Sequence, residues 1–271
     1  MADLLVHPTS QRLIDAYIQQ PSHGLLLSGP EGIGLKTIAQ HIARQINTLS
    51  YVQEVLPDDK RTITIETVRG LYKLTRAQRD IPLVIVIDDA EAMGREAQNA
   101  LLKLLEEPTE NVYFILTSHA PQRLLATITS RTQHIPLRRL ASGDIHTLFD
   151  AQTSDATRTQ VRFLAEGLPA EAARLLDDEV YFLRKTRLMK DARAFLEGDS
   201  YARLLLIKEY SGDREQADLL LASLAMLLSF MLFQQQTSRH VASLETIETV
   251  RARLGQNAHI RTQLTYLVTQ F

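Results

Sequence analysis

Cysteine is absent from the 271 residues, which excludes disulfides and thiolate-held metals from the chemistry of this chain. A positive excess is also lacking: 30 Lys and Arg stand against 32 Asp and Glu, a formal net charge of −2. That balance does not suit sequence-independent attraction to nucleic acid, so DNA contact has to come from a local patch or from partner subunits. The first twenty residues hold no basic segment followed by an apolar run, so no secretory signal is expected, and a cytoplasmic location fits the missing cysteines. Internal repeats and low-complexity tracts are missing as well. One long apolar run exists, residues 219–233, broken by Ser223 and Ser229. Its fifteen residues make about 22 Å of helix against a hydrocarbon core of roughly 30 Å, so it reads as a buried helix and no membrane partner is expected. What remains is ordinary for a globular protein of one to three domains: 45% hydrophobic and 23% charged residues.

The first half alternates strand-like and helix-like segments, the pattern of an α/β domain with a parallel sheet. Strands are expected at 25–28, 51–56, 82–88, 111–117 and 133–137, the last near an edge because it holds Pro136. Helices are expected from Leu35 to Asn47, from an N-cap at Thr64 to about Gln78, over 95–106 until Pro108 stops it, and briefly over 121–126. After Arg139 the chain reads as helices only, with Pro169 opening one of them.

A phosphate-binding loop reads G-x-x-x-x-G-K-[ST] between a strand and a helix. Its glycines let backbone N–H groups close around phosphate oxygens, its lysine neutralises charge and its hydroxyl ligates magnesium. Gly29, Gly32 and Gly34 stand in that context, but the next two positions hold Leu35 and Lys36. Lys36 and Thr37 are therefore the required pair displaced by one residue, about 100° of helix rotation. That turns ammonium and hydroxyl away from where phosphate and magnesium need them, and leaves Leu35 facing the phosphates. A local bulge would restore the geometry, so residual ATP and Mg²⁺ stay open; the expected cofactor is none. Asp88 and Asp89 end a strand where a magnesium-organising acid lies. In an active ATPase of this type a glutamate follows the first acid, and Asp89 is one methylene shorter, a displacement that matters where positioning carries the catalysis. The eight histidines are scattered, no metal-ligand set stands out, and Ser118-His119 lacks the context of a hydrolase nucleophile.

Residues 84–133 resemble the core of the bacterial DNA polymerase III clamp-loader AAA+ subunits. The likeness rests on Gln98-Asn99-Ala100-Leu101-Leu102-Lys103, on Glu106-Glu107-Pro108 and on Ser130-Arg131, and extends with less specificity over about 7–139. It implies an α/β AAA+ P-loop-type domain with a parallel sheet over 1–139, a small helical lid over 140–178 and an all-α oligomerisation collar over 179–271. It implies that Arg131, with Ser130, serves as an arginine finger acting in trans on a neighbour's ATP; Thr132 departs mildly from the usual Ser-Arg-Cys. Thr117 and Ser118 match the sensor of γ-phosphate. Ala170 follows Gly167-Leu168-Pro169 where active members place an arginine, a form that resembles the delta-prime type. The four-cysteine zinc module of many relatives is absent.

The resemblance thus implies a non-hydrolysing, delta-prime-like stator of a clamp loader, outside the enzymes proper. Its partners would be gamma/tau and delta subunits, with the sliding clamp and primed DNA reached through the complex. Retained Lys36 and Thr37 support the alternative of an ATP-hydrolysing gamma/tau-type motor. A third reading is a diverged AAA+ adaptor outside replication.

Overall fold

The computed structural model describes residues 5–46, 51–76, 81–141, 143–149, 153–234 and 237–271. The helix ends expected at Asn47 and Gln78 lie outside these residues. Two compact units are present, Met1–Asp177 and Asp178–Phe271.

The first unit is built on five parallel strands: β1 (Gly24–Ser28), β2 (Tyr51–Val55), β3 (Leu83–Ile87), β4 (Val112–Ser118) and β5 (Gln133–Pro136). They lie in the order β2-β3-β4-β1-β5. β1 and β3 are buried along their whole length, which is why they read as unbroken apolar runs. Successive side chains leave a strand on opposite faces, so each run feeds two cores. Leu26, Ile85, Ile87, Phe114 and Leu116 join one with α3 (Ile65–Thr75) and α4 (Arg95–Glu106). Leu25, Leu27, Val84, Val86 and Ile115 join the other with α1 (Pro8–Gln19) and α2 (Leu35–Ile46). Helix α3 starts as its sequence indicates, with the Thr64 hydroxyl accepting from the Thr67 amide. The segment expected as one short helix over 121–126 is a 3-10 turn (Pro121–Arg123) followed by α5 (Ala126–Thr129). Helix α1 was not foreseen; its His7 ring caps the Thr9 amide and Pro8 opens it.

Parallel strands deliver all their C-terminal ends to one edge of the sheet. Ser28 pairs in register with Ser118, so the glycine-rich loop, Asp88-Asp89 and His119 emerge side by side. At the other edge Leu25 pairs with Gln133, which places Arg131 beside the N-terminal end of β1. The carbonyl of Arg131 lies 3.1 Å from where a side chain on Gly24 would begin. After β5 come a 3-10 turn (Asp144–Leu148), α6 (Asp155–Ala165) and α7 (Pro169–Asp177).

The second unit holds α8 (Glu179–Glu197), α9 (Ser200–Tyr210), α10 (Arg214–Gln234), α11 (Ser238–Gly255) and α12 (Ile260–Gln270). Helix α10 is longer than its apolar run: it has 21 residues, and Arg214–Phe233 is long and apolar enough to cross a membrane by length and composition. Length alone therefore does not set this helix apart from a membrane span, contrary to the expectation from its fifteen-residue apolar run. Packing decides instead. Ala217, Leu220, Leu221, Leu224 and Leu228 are buried in a core shared with Ile247, Val250, Leu264 and Leu267. At its polar end Asp218 takes a two-pronged ion pair from Arg251, and Arg214 donates to the Leu254 and Ala258 carbonyls that close α11. The far end leaves Phe230, Met231 and Phe233 exposed.

Candidate functional site

The loop between β1 and α2 takes the turn its glycines permit. Gly32 and Gly34 have φ of 79° and 94°, a region that side-chain-bearing residues rarely adopt. The displaced motif then resolves differently from its reading in the sequence. Leu35 does not face a phosphate position; it is 2% exposed and packs in the core with Ile38 and Ile42. The Lys36 ammonium does not turn away from the acids either. It lies 3.8 Å from the Asp88 carboxylate and 3.9 Å from that of Glu54, which also accepts from Gln40. A fixed monovalent cation thus stands beside the acid to which the sequence analysis assigned magnesium. Thr37 is exposed on the first turn of α2.

Thr117 joins the two acids. Its hydroxyl donates to the Asp88 carboxylate at 2.7 Å and accepts from the Asp89 amide at 3.0 Å, and the residue is fully buried. Both of its hydrogen-bonding roles are in use within the chain. Asp89 sits in the left-handed region at φ 49°. Burial first, and then the negative charge of Asp88, push its carboxyl above the usual carboxylate range, while His119 pulls the other way.

His119 is the site residue that the sequence did not disclose. Its Nδ1 lies 2.8 Å from the Gly29 carbonyl, and because a carbonyl only accepts, Nδ1 carries the proton. Its Nε2 stands 3.7 Å from Asp89. The Glu91 carboxylate receives the His119 and Ala120 amides at 2.8 and 3.1 Å. The signal in the sequence was positional: the residue after a buried strand that neighbours β1 arrives at the glycine-rich loop. The cleft beside Asp89, about 870 Å³, is lined by Glu31, Arg61, Asp89, His119 and Arg123 among others; Lys36 and Thr37 are not among its walls.

Helix α7 packs directly on this loop. The Glu171 amide in the first turn of α7 donates to the Gly32 carbonyl at 3.0 Å, and a side chain at Gly32 would begin 2.9 Å from the Glu171 β-carbon. Ala170 lies 3.5 Å from the corresponding point on Gly34, and Leu168 packs into the α2-side core. Gly167, at φ 79°, accepts from the Leu140 amide with no room for a side chain, and Arg139 pairs with Glu166 at 3.1 Å.

Arg131 belongs to another part of the unit. It follows α5, whose C-terminal Ser130 donates to the Thr127 carbonyl, and the Thr132 hydroxyl donates to the Ile128 carbonyl. The guanidinium is a third exposed, reaches the Thr127 carbonyl at 3.1 Å and pairs with Glu106 at 2.9 Å. Glycine-rich loop and guanidinium lie at opposite ends of β1, about 16 Å of strand apart. The structure thus gathers Gly29, Gly32, Gly34, Lys36, Asp88, Asp89 and Thr117 in one place and sets Ser130 and Arg131 in another. Among the described residues no group of three or more His, Asp or Glu could hold a metal ion.

Known proteins similar to this chain include subunits of DNA polymerase III. Residues 51–141, about a third of the chain, match the family model described as DNA polymerase III, delta subunit. The DNA polymerase III subunit delta' of Pseudomonas aeruginosa is 31% identical over 186 residues, covering 59% of this chain and 52% of that protein. Subunit delta' of Escherichia coli is 29% identical over 224 residues, 76% of this chain and 65% of that one. Subunit tau of Bacillus subtilis is 27% identical over 213 residues, 68% of this chain and 38% of that one. The chain thus spans about half or less of the length of the first two relatives named by rank of similarity, delta' of Pseudomonas and tau of Bacillus. Among solved structures, a DNA polymerase III gamma subunit-related protein of Thermotoga maritima superposes with a TM-score of 0.57 at 18% identity, over 96% of this chain and 97% of that one. The RuvB Holliday junction branch migration motor of the same organism gives 0.51 at 16% identity, over 77% and 83%. Both are likenesses of fold alone.

Proposed function

The chain resembles the AAA+ clamp-loader subunits of DNA polymerase III, most like delta', and from that premise we propose that it is a stator of such a loader. It hydrolyses no ATP of its own and lends Arg131 to the ATP site of a neighbouring motor subunit. Gamma/tau and delta-type subunits are its direct partners; the sliding clamp and primed DNA are reached through the assembly, in the cytoplasm.

One observation carries the reading: the glycine-rich loop and Arg131 lie at opposite ends of β1, so this chain's guanidinium is placed away from its own loop. At the loop, two groups that would serve a nucleotide have an intramolecular use. Lys36 lies beside Asp88 and Glu54, and the Thr117 hydroxyl bridges Asp88 and the Asp89 amide. Leu35 supplies no charge where a triphosphate needs one. These residues do not fit a bound Mg–triphosphate, and no catalytic step is assigned to them. At the other end an arginine is exposed just past the short helix α5, too far from the chain's own loop to serve it. A finger supplied in trans stabilises charge on a transferring phosphoryl group, the chemistry a guanidinium in that position can perform.

A second reading, an ATP-hydrolysing gamma/tau-type motor, draws on the likeness to subunit tau and on the closeness of Lys36 to Asp88. Calorimetric titration of the chain with ATP and Mg²⁺ separates the two. The stator takes up no nucleotide at micromolar concentration; micromolar affinity accompanied by turnover decides for the motor.

A further inference from the structure

The guanidinium of Arg131 is not waiting free. Its NH2 group pairs with the Glu106 carboxylate at 2.9 Å, while its NH1 group donates to the Thr127 carbonyl at 3.1 Å and approaches the Ser130 hydroxyl at 3.5 Å. These contacts do different work. Thr127 lies in the short helix α5 and Ser130 caps it, directly before the arginine, and together they set the direction of the arm. Glu106 comes from the end of α4 and adds a negative charge. A carboxylate in the last turn of a helix faces the negative end of the helix dipole, a position that electrostatics disfavours without a cation nearby. Glu106 and Arg131 therefore hold each other, the one lacking a cation, the other an anion.

We propose that Glu106 is a placeholder for the triphosphate of the adjacent subunit: it keeps the Arg131 finger charge-paired until a nucleotide oxygen displaces it. The inference rests on the stator reading above and deepens it. Carboxylate and phosphate oxygens are both anionic acceptors that can take two N–H groups of a guanidinium, so one can replace the other without rebuilding the arm. The exchange runs toward the nucleotide because a terminal phosphate carries more charge than a carboxylate. It is easily made because both partners are well exposed, 37% and 45%, and an exposed ion pair of this kind is weak. Throughout the exchange the Thr127 carbonyl keeps the arm aimed. Glu106 is thus a positioning residue that competes with the reaction's own anion.

The test uses the chain reassembled with its gamma/tau and delta-type partners, with DNA-stimulated ATPase as the readout. Glu106→Gln keeps the shape and removes the charge. It raises kcat/KM for ATP by about two- to fivefold, the range open to an exposed ion pair, and the gain appears as a lower KM. Glu106→Asp keeps the charge and stays close to the parent. In an Arg131→Ala background Glu106→Gln has no effect. An unchanged kcat/KM in Glu106→Gln overturns the proposal, as does a gain that persists without Arg131. A loss of activity in Glu106→Gln with an unaltered melting temperature also overturns it, because the carboxylate is then an orienting clamp. The Arg131→Ala control separates the two levels: if that variant alone leaves the ATPase intact, the stator reading fails and not merely the placeholder.

Discussion

The amide of Glu171 donates to the carbonyl of Gly32 across 3.0 Å, so the first turn of α7 rests on the glycine-rich loop. The loop's Gly32 carbonyl thus faces α7. Gly32→Ala tests the contact. The new methyl would begin 2.9 Å from the Glu171 β-carbon, and the left-handed backbone at φ 79° itself opposes a side chain by about 1–2 kcal/mol. The Glu171 amide, hydrogen-bonded to Gly32 in the parent, exchanges faster in the variant than in the parent, as hydrogen-exchange mass spectrometry or NMR can read.

Gly167→Ala is the more damaging change. A β-carbon there would fall 2.1 Å from the Leu140 carbonyl oxygen, a backbone atom that cannot swing aside. Together with the positive φ, the loss is at least about 2 kcal/mol, measured by denaturant unfolding.

Thr117→Val preserves shape and removes the hydroxyl between Asp88 and the Asp89 amide. Thr117 is fully buried, so its two partners lose a bond where little water can replace it. The expected loss of stability is about 1–3 kcal/mol. The same change at an exposed threonine such as Thr37 is nearly neutral.

Asp89→Asn stabilises the chain in a pH-dependent way. The folded state raises the proton affinity of this carboxyl, chiefly through burial and then through Asp88. Below the ordinary aspartate value of about 4 the group is protonated in folded and unfolded chains alike and contributes nothing. As pH rises past that value the unfolded chain ionises first, and stability falls until the folded group has ionised as well. The penalty is then complete at pH 7. Asparagine removes the charge and tolerates the left-handed backbone. Its melting temperature exceeds the parent's at pH 7, and the difference vanishes as pH falls to about 4.

Arg131→Ala leaves the chain's own melting temperature nearly unchanged, because its ion pair with Glu106 is exposed. In the reassembled loader, turnover at the site it completes falls by about three orders of magnitude, and the DNA-stimulated ATPase drops by that site's share. An ATPase equal to the parent's removes the finger from the mechanism.

The clearest elements in the sequence were those whose local chemistry agrees with their environment. Helix α4 begins at Arg95 and ends at Glu106 as its pattern and Pro108 indicate, and β3 is the buried run it resembles. Helix α1 escaped notice because its cap is a histidine and only Ser10, Ile14 and Tyr17 of its residues are buried, too few for a strong period. The one-residue displacement after Gly34 was visible, but its consequence was misjudged. Helix rotation predicts where a side chain starts, and a lysine has four more carbons with which to turn back toward an acid. Hence Lys36 reaches Asp88, and Leu35 enters the core instead of facing a ligand.

By itself the order of residues determined the alternation of strand and helix, the missing lysine after Gly34 and the presence of Ser130-Arg131, because these depend on neighbours a few positions apart. Only tertiary structure decided that His119 meets Gly29, that α7 covers Gly32, and that Arg131 lies at the far end of β1 from the loop. Those facts depend on the order in which parallel strands are laid side by side. Strand pairing brings together residues as distant as Gly29 and His119, and no local period records that choice.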